Sequence, residues 1–98
     1  MVISKKQETG KVELAVEGRL DTTTAPQLEA EISGCIEGLQ TLEFDFAELE
    51  YISSAGLRVL LSAQKKMNKQ GTMIIRNVND VVMEVFEITG FVDILTIE

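Results

Sequence analysis

The apolar residues of this 98-residue chain switch back and forth between a period of two and a period of about 3.6, a pattern few folds accept at this length. In Lys11–Glu17, Val12, Leu14 and Val16 point one way while Lys11, Glu13 and Glu17 point the other, which marks a half-buried strand with one wetter face. An opening strand, Val2–Gln7, turns at Thr9-Gly10 into that segment, so the two are antiparallel neighbours. Thr41–Phe46 alternates in the same way, and Thr72–Arg76 supplies another strand.

Helical stripes separate these strands. Thr24-Ala25-Pro26-Gln27 reads as a capping box with Thr24 as N-cap. Ala25, Leu28, Ile32, Cys35, Ile36 and Leu39 then continue one apolar face. A second stripe, Leu57, Leu60, Leu61, Gln64 and Met67, follows Ser53-Ser54-Ala55-Gly56, with Gly71 as the expected C′ residue. A third helix, capped by Asn79 or Asp80, carries Val82, Val85 and Phe86 and ends at Thr89-Gly90. Phe91–Ile97 is expected to add a short edge strand or to pack as a tail.

The order is thus β-β-α-β-α-β-α, with Ala47–Ile52 read as a loop. Strands joined through helices are parallel with right-handed crossovers, so the hairpin makes the sheet mixed. The expectation is one α/β domain over residues 1–98, with a four- to five-stranded sheet and helices mainly on one face.

Composition narrows the function. The absence of histidine removes Ser-His-Asp and Cys-His triads and histidine-based metal sites, and no cofactor is implied; the chain does not read as an enzyme. A formal charge of −7 weighs against nucleic acid as a partner. The one basic cluster, Lys65, Lys66 and Lys69, lies near a helix C-terminus, where cations offset the dipole. Cys35 reads as a small core side chain. Without a long apolar run or a signal peptide, the expectation is a cytoplasmic protein with no membrane insertion.

In parallel α/β sheets functional groups gather beyond the C-terminal ends of the strands. The segments there are Gly18–Thr24, Ala47–Ala55 and Asn77–Asp80, which predicts Asp21, Ser53, Ser54 and Asn79 along one rim. One of the two serines caps the second helix, or a hydroxyl there accepts a phosphoryl group, since a phosphate at a helix N-terminus meets free N–H groups. Tyr51, Ile52, Ala55 and Leu57 would place an apolar contact surface beside it wherever they are exposed. Nucleotide binding or hydrolysis at this rim is disfavoured, for the chain has neither a P-loop lysine pattern nor a Gly-rich phosphate loop.

The run Asp45-Phe46-Ala47-Glu48-Leu49-Glu50-Tyr51-Ile52-Ser53-Ser54-Ala55-Gly56-Leu57-Arg58-Val59-Leu60-Leu61 resembles the signature of the STAS family, specifically its bacterial anti-sigma factor antagonists. Gly18-Arg19-Leu20-Asp21 resembles that family's loop after the second strand, and the element order matches from end to end. The resemblance implies a regulator that, unphosphorylated, binds an anti-sigma factor with serine kinase activity and so frees the sigma factor. Phosphorylation ends the complex until a serine phosphatase reverses it. By the same resemblance Ser54 is the acceptor, with Ser53 the second choice. Asp21, Thr22, Thr23, Ser53, Ser54, Ala55, Gly56, Leu57 and Arg58 would make up the partner-binding surface. Ser53 stands where the antagonists best known for phosphorylation carry Asp, and Ala55 where a hydroxyl residue is common. These departures motivate a second reading, a constitutive STAS scaffold subunit of a signalling or transport-associated complex that is never phosphorylated.

Overall fold

A computed structural model describes residues 1–98. The elements are β1 (Val2–Glu8), β2 (Lys11–Leu20), α1 (Ala25–Ser33), β3 (Thr41–Asp45), β4 (Leu49–Ile52), α2 (Ser54–Met67), β5 (Thr72–Arg76) and α3 (Asp80–Thr89), followed by a 3-10 turn, Phe91–Asp93. The five-stranded sheet runs β1-β2-β3-β5, with β4 paired to β2. β1 is antiparallel to β2, and every other pairing is parallel.

One sheet face carries Val12, Leu14 and Val16 of β2, Leu42 and Phe44 of β3, and Met73 and Ile75 of β5, all buried. These residues join Leu28 and Ile32 of α1, Leu60 and Met67 of α2, and Val82 and Phe86 of α3 in one apolar core. The helices therefore cover that face, as the alternation in β2 and β3 implies. The other face is polar. On it Glu43, almost wholly buried, meets Lys11 Nζ at 3.1 Å and Arg76 Nε at 3.3 Å, and Arg76 also reaches Glu98 at 3.6 Å. A buried carboxylate held this way costs far more to leave unpaired than to keep.

Four features differ from the expectation. The strand read as Lys11–Glu17 runs on to Leu20, and Leu49–Ile52 is strand β4 instead of loop, because each is the other's partner. Gly18, at φ 96°, sits at the irregularity that lets β2 leave β3 and pair with β4. Second, α1 stops at Ser33, yet Ile36 and Leu39 are still buried beyond it, in turns. The side-chain amide of Gln70 donates to the carbonyls of both, at 2.6 and 2.8 Å, which satisfies groups no helix bonds there.

Third, α2 ends at Met67, and Gly71 is not a left-handed C′ residue. Glycine is needed there for close approach, since a Cβ would overlap the carbonyl of Gln40. Fourth, the capping box forms one turn early. Thr24 makes no cap bond with its side chain. Instead Asp21 Oδ1 accepts from the N–H groups of Thr23 and Thr24, and Thr24 Oγ1 accepts from the N–H of Asp21. The turn Asp21–Thr24 is already wound, with Ala25 N bonded to Asp21 O at 2.8 Å, so the cap moves to its start.

The C-terminus packs as a tail that makes one parallel bridge, Ile97 to Ile75, with Leu95 buried beneath it. Cys35 is half-buried in the turn after α1, and burial pushes its thiol pKa up. No helix is long and apolar enough to cross a membrane.

Candidate functional site at the start of the second helix

Parallel pairing ends β2 and β4 side by side, with Leu20 opposite Ile52. The next residue of each chain segment is then a neighbour: Ser53 N donates to Leu20 O at 2.9 Å. The Asp21 turn and the first turn of α2 are thereby locked together. Gly56 completes the junction, because α2 lies so close to the strand ends that a Cβ there would stand 2.7 Å from Leu20 Cγ and 2.9 Å from Ile52 Cγ1.

The two serines face different surroundings. Ser53 is the N-cap residue by position, with extended backbone, but its side chain makes no cap hydrogen bond. Its Oγ is buried and without a partner. Ser54, the first residue of α2, is exposed. Leu57 N is bonded to Ser53 O, while the N–H groups ahead of it in the first turn have no intrahelical acceptor and no side-chain cap. An anionic group on Ser54 would meet those donors and the positive end of the helix dipole.

Asp21 is committed to its own turn. Besides the two backbone donors on Oδ1, its Oδ2 lies 3.9 Å from Arg19 Nε. The Thr24 N–H, followed by that of Thr23, the Thr24 hydroxyl and the Arg19 charge, holds the carboxyl below the usual carboxylate range. Arg19 in turn lies over the ring of Tyr51, its cross-strand partner, with Cζ 4.3 Å from the ring centroid.

Two expectations are corrected by this geometry. Asn79 is not on the same rim as the serines. It caps α3, its Oδ1 accepting from Val82 N at 2.9 Å, and its Nδ2 donates to Leu49 O at 2.6 Å. Leu49 begins β4 and Ser53 follows its end, so Asn79 sits roughly 13 Å below the serines, the rise of four strand residues. The apolar contact surface is also missing, because Ile52, Ala55 and Leu57 are all core residues and Tyr51 is half-covered. Gly56 is buried too.

Thr22, Thr23, Ser54 and Arg58 are the exposed members of the expected surface, and their chemistry is polar. Thr22, Pro26 and Glu29 on the α1 side and Ala55, Arg58 and Val59 on α2 line a shallow groove of about 290 Å³ between the two helices. The place of Glu29 in this groove and the stacking of Arg19 on Tyr51 have no counterpart in the sequence pattern. The packing of α1 on α2 brings Glu29 to the groove and the β2–β4 register sets Arg19 against Tyr51, and neither leaves a local pattern.

Comparison with known proteins agrees with this architecture. The chain is similar to BtrV of Bordetella bronchiseptica, 34% identical over 99% of this chain and 85% of that protein. It is also similar to the anti-sigma-B factor antagonist of Listeria monocytogenes, 32% identical over 96% of this chain and 84% of that one. Among solved structures, the anti-sigma factor antagonist SpoIIAA in its unphosphorylated form superposes with a TM-score of 0.84 over 99% of this chain and 88% of its own, at 23% identity, a likeness of fold. The STAS domain profile matches residues 2–98, and on that span, with the sheet and helices described above, the chain belongs to the STAS domain family.

Proposed function

We propose that this chain is an anti-sigma factor antagonist, acting in the cytoplasm, whose binding to an anti-sigma factor with serine kinase activity is ended by phosphorylation of Ser54. The observation that carries the reading is the contrast between the serines: Ser54 is exposed at an uncapped helix start, whereas the Ser53 hydroxyl is buried. A kinase needs a hydroxyl it can reach, which disfavours Ser53. The relatives named as anti-sigma-B factor antagonists in Listeria monocytogenes and Bacillus subtilis support the class of partner. Within this reading the chain itself catalyses nothing; the kinase transfers the phosphate and a serine phosphatase removes it. Thr22, Thr23 and Arg58 would meet the partner beside Ser54, while Asp21, Gly56, Ala55 and Leu57 shape the surface from beneath.

One phosphate suffices to end such a complex. It adds about −1.5 to −2 charges at neutral pH. A hundredfold loss of affinity corresponds to about 2.7 kcal/mol. A like-charge contact at about 4 Å contributes roughly 1 kcal/mol in water and about 4 at a surface-like dielectric. A single nearby carboxylate in a partly desolvated interface therefore reaches the required size without any change of fold.

The test is mass spectrometry of the protein after incubation with ATP and its anti-sigma factor, paired with calorimetric binding of variants. The expected result is a single phosphate on Ser54, retained binding by Ser54→Ala, and binding by Ser54→Asp weakened about a hundredfold. Wild-type affinity in Ser54→Asp would sink the switch. Binding with no phosphate at all would favour a constitutive scaffold.

A further inference from the structure

Five large apolar residues are exposed on this protein, and four of them, Val81, Ile88, Val92 and Ile94, fall within a stretch of fourteen residues that includes α3. Val81 is 57% exposed and Ile88 77%. They stand seven residues apart, two helical turns, on the side of α3 opposite the buried Val82 and Phe86, with the partly covered Val85 between them. Val92 and Ile94, in the segment after Gly90, are exposed as well. Single exposed valines and isoleucines are ordinary, but the outer faces of α1 and α2 show none.

The charges carried by α3 and the segment after it all have one sign. At helical spacing Asp80, Glu84 and Glu87 fall along one flank of it. From Asn77 to Glu98 the chain carries five carboxylate residues and neither lysine nor arginine. A second copy docking through the same face therefore brings no cation to it in either orientation, and in the antiparallel one it sets carboxylate against carboxylate. An anionic bilayer is repelled as well, because interfacial helices need Lys or Arg beside the apolar face.

We infer that the outer face of α3 docks a cationic amphipathic helix of a protein partner. Its apolar residues, at i, i+3/i+4 and i+7, lie along Val81 and Ile88, and its Lys or Arg residues run beside Asp80, Glu84 and Glu87. Complementary charge sets orientation and rejects the wrong partner, while the apolar stripe supplies the buried contact. The surface is separate from Ser54, so the inference does not depend on the phosphorylation reading.

The experiment titrates the full isotope-labelled chain with a short helical peptide bearing leucines at those positions and lysines elsewhere. A second peptide has glutamate in place of every lysine. The expected result is amide shifts confined to α3 and the turn after it, with the lysine peptide binding at least about tenfold tighter. The preference should shrink as salt screens the flank. Ile88→Asp, at a site too exposed to affect folding, should weaken the lysine peptide about tenfold, and Glu84→Lys with Glu87→Lys should reverse the preference. Equal binding of both peptides, shifts elsewhere on the protein, or no binding would overturn the inference. So would sedimentation showing self-association lost in Ile88→Asp, or binding to vesicles containing anionic lipid.

Discussion

Replacing Gly56 by alanine adds one methyl group where α2 rests on the ends of β2 and β4. The new Cβ would lie 2.7 Å from Leu20 Cγ, 2.9 Å from Ile52 Cγ1 and 3.0 Å from Leu20 Cδ2. Carbon atoms settle at about 3.5–4.0 Å, so both side chains must retreat by about 1 Å. Neither has room, since Leu20 is 0% and Ile52 2% exposed. Overpacking a filled core costs about 1–3 kcal/mol, and two displaced neighbours put this site in the upper half of that range. Alanine in a helix recovers about 1 kcal/mol over glycine. The net expectation is a loss of about 1–2 kcal/mol, which for a domain of this size lowers Tm by about 5–15 °C. Gly34→Ala is the control, because a Cβ there meets only carbonyl oxygens at 3.5 and 3.6 Å, and its φ of −73° suits any residue. That variant should gain about 0.4–1 kcal/mol. Thermal unfolding followed by circular dichroism reads both. A Gly56→Ala protein as stable as the wild type would refute the claim that close packing on Leu20 and Ile52 excludes a side chain.

The remaining predictions concern the two caps and the Asp21 turn. Ser53→Ala should be neutral or should stabilise by up to about 1 kcal/mol, since the hydroxyl is buried without a partner and caps nothing; a clear drop in the urea midpoint would mean that Ser53 caps α2 after all. Asn79→Ala should instead cost about 1–2 kcal/mol in the same assay, losing both the α3 cap and the bond to Leu49. Asp21 has a folded pKa below its unfolded value, so its charge contributes stability above the unfolded pKa of about 3.9 and loses it as pH falls through the folded value. The stability gap between wild type and Asp21→Asn should therefore be full above about pH 5 and close in acid; a gap independent of pH would show that the carboxylate charge is not what the turn uses.

Much of this molecule is local and was legible in residue order. The strands β1, β2, β3 and β5 and the cap of α3 follow from alternation, turn residues and Asn79, because each rests on side chains a few positions apart. The absence of histidine left no side chain for a Ser-His-Asp or Cys-His triad, and the charge of −7 weighed against a nucleic-acid partner, both read before any fold was considered. What tertiary structure decided is everything that depends on a distant partner. Leu49–Ile52 is a strand only because the far end of β2 offers it an edge, and four residues carry too little period to announce that. Gly71 looked like a helix stop, but the backbone of Gln40, remote in sequence, is what requires glycine there. Adjacent serines of identical chemistry could not be told apart by sequence spacing. The phase of α2 on the sheet turned one hydroxyl inward and left the other residue in water. That phase is fixed by the contact of Gly56 with Leu20 and Ile52, which joins a helix to two strands and has no counterpart in any local run of residues.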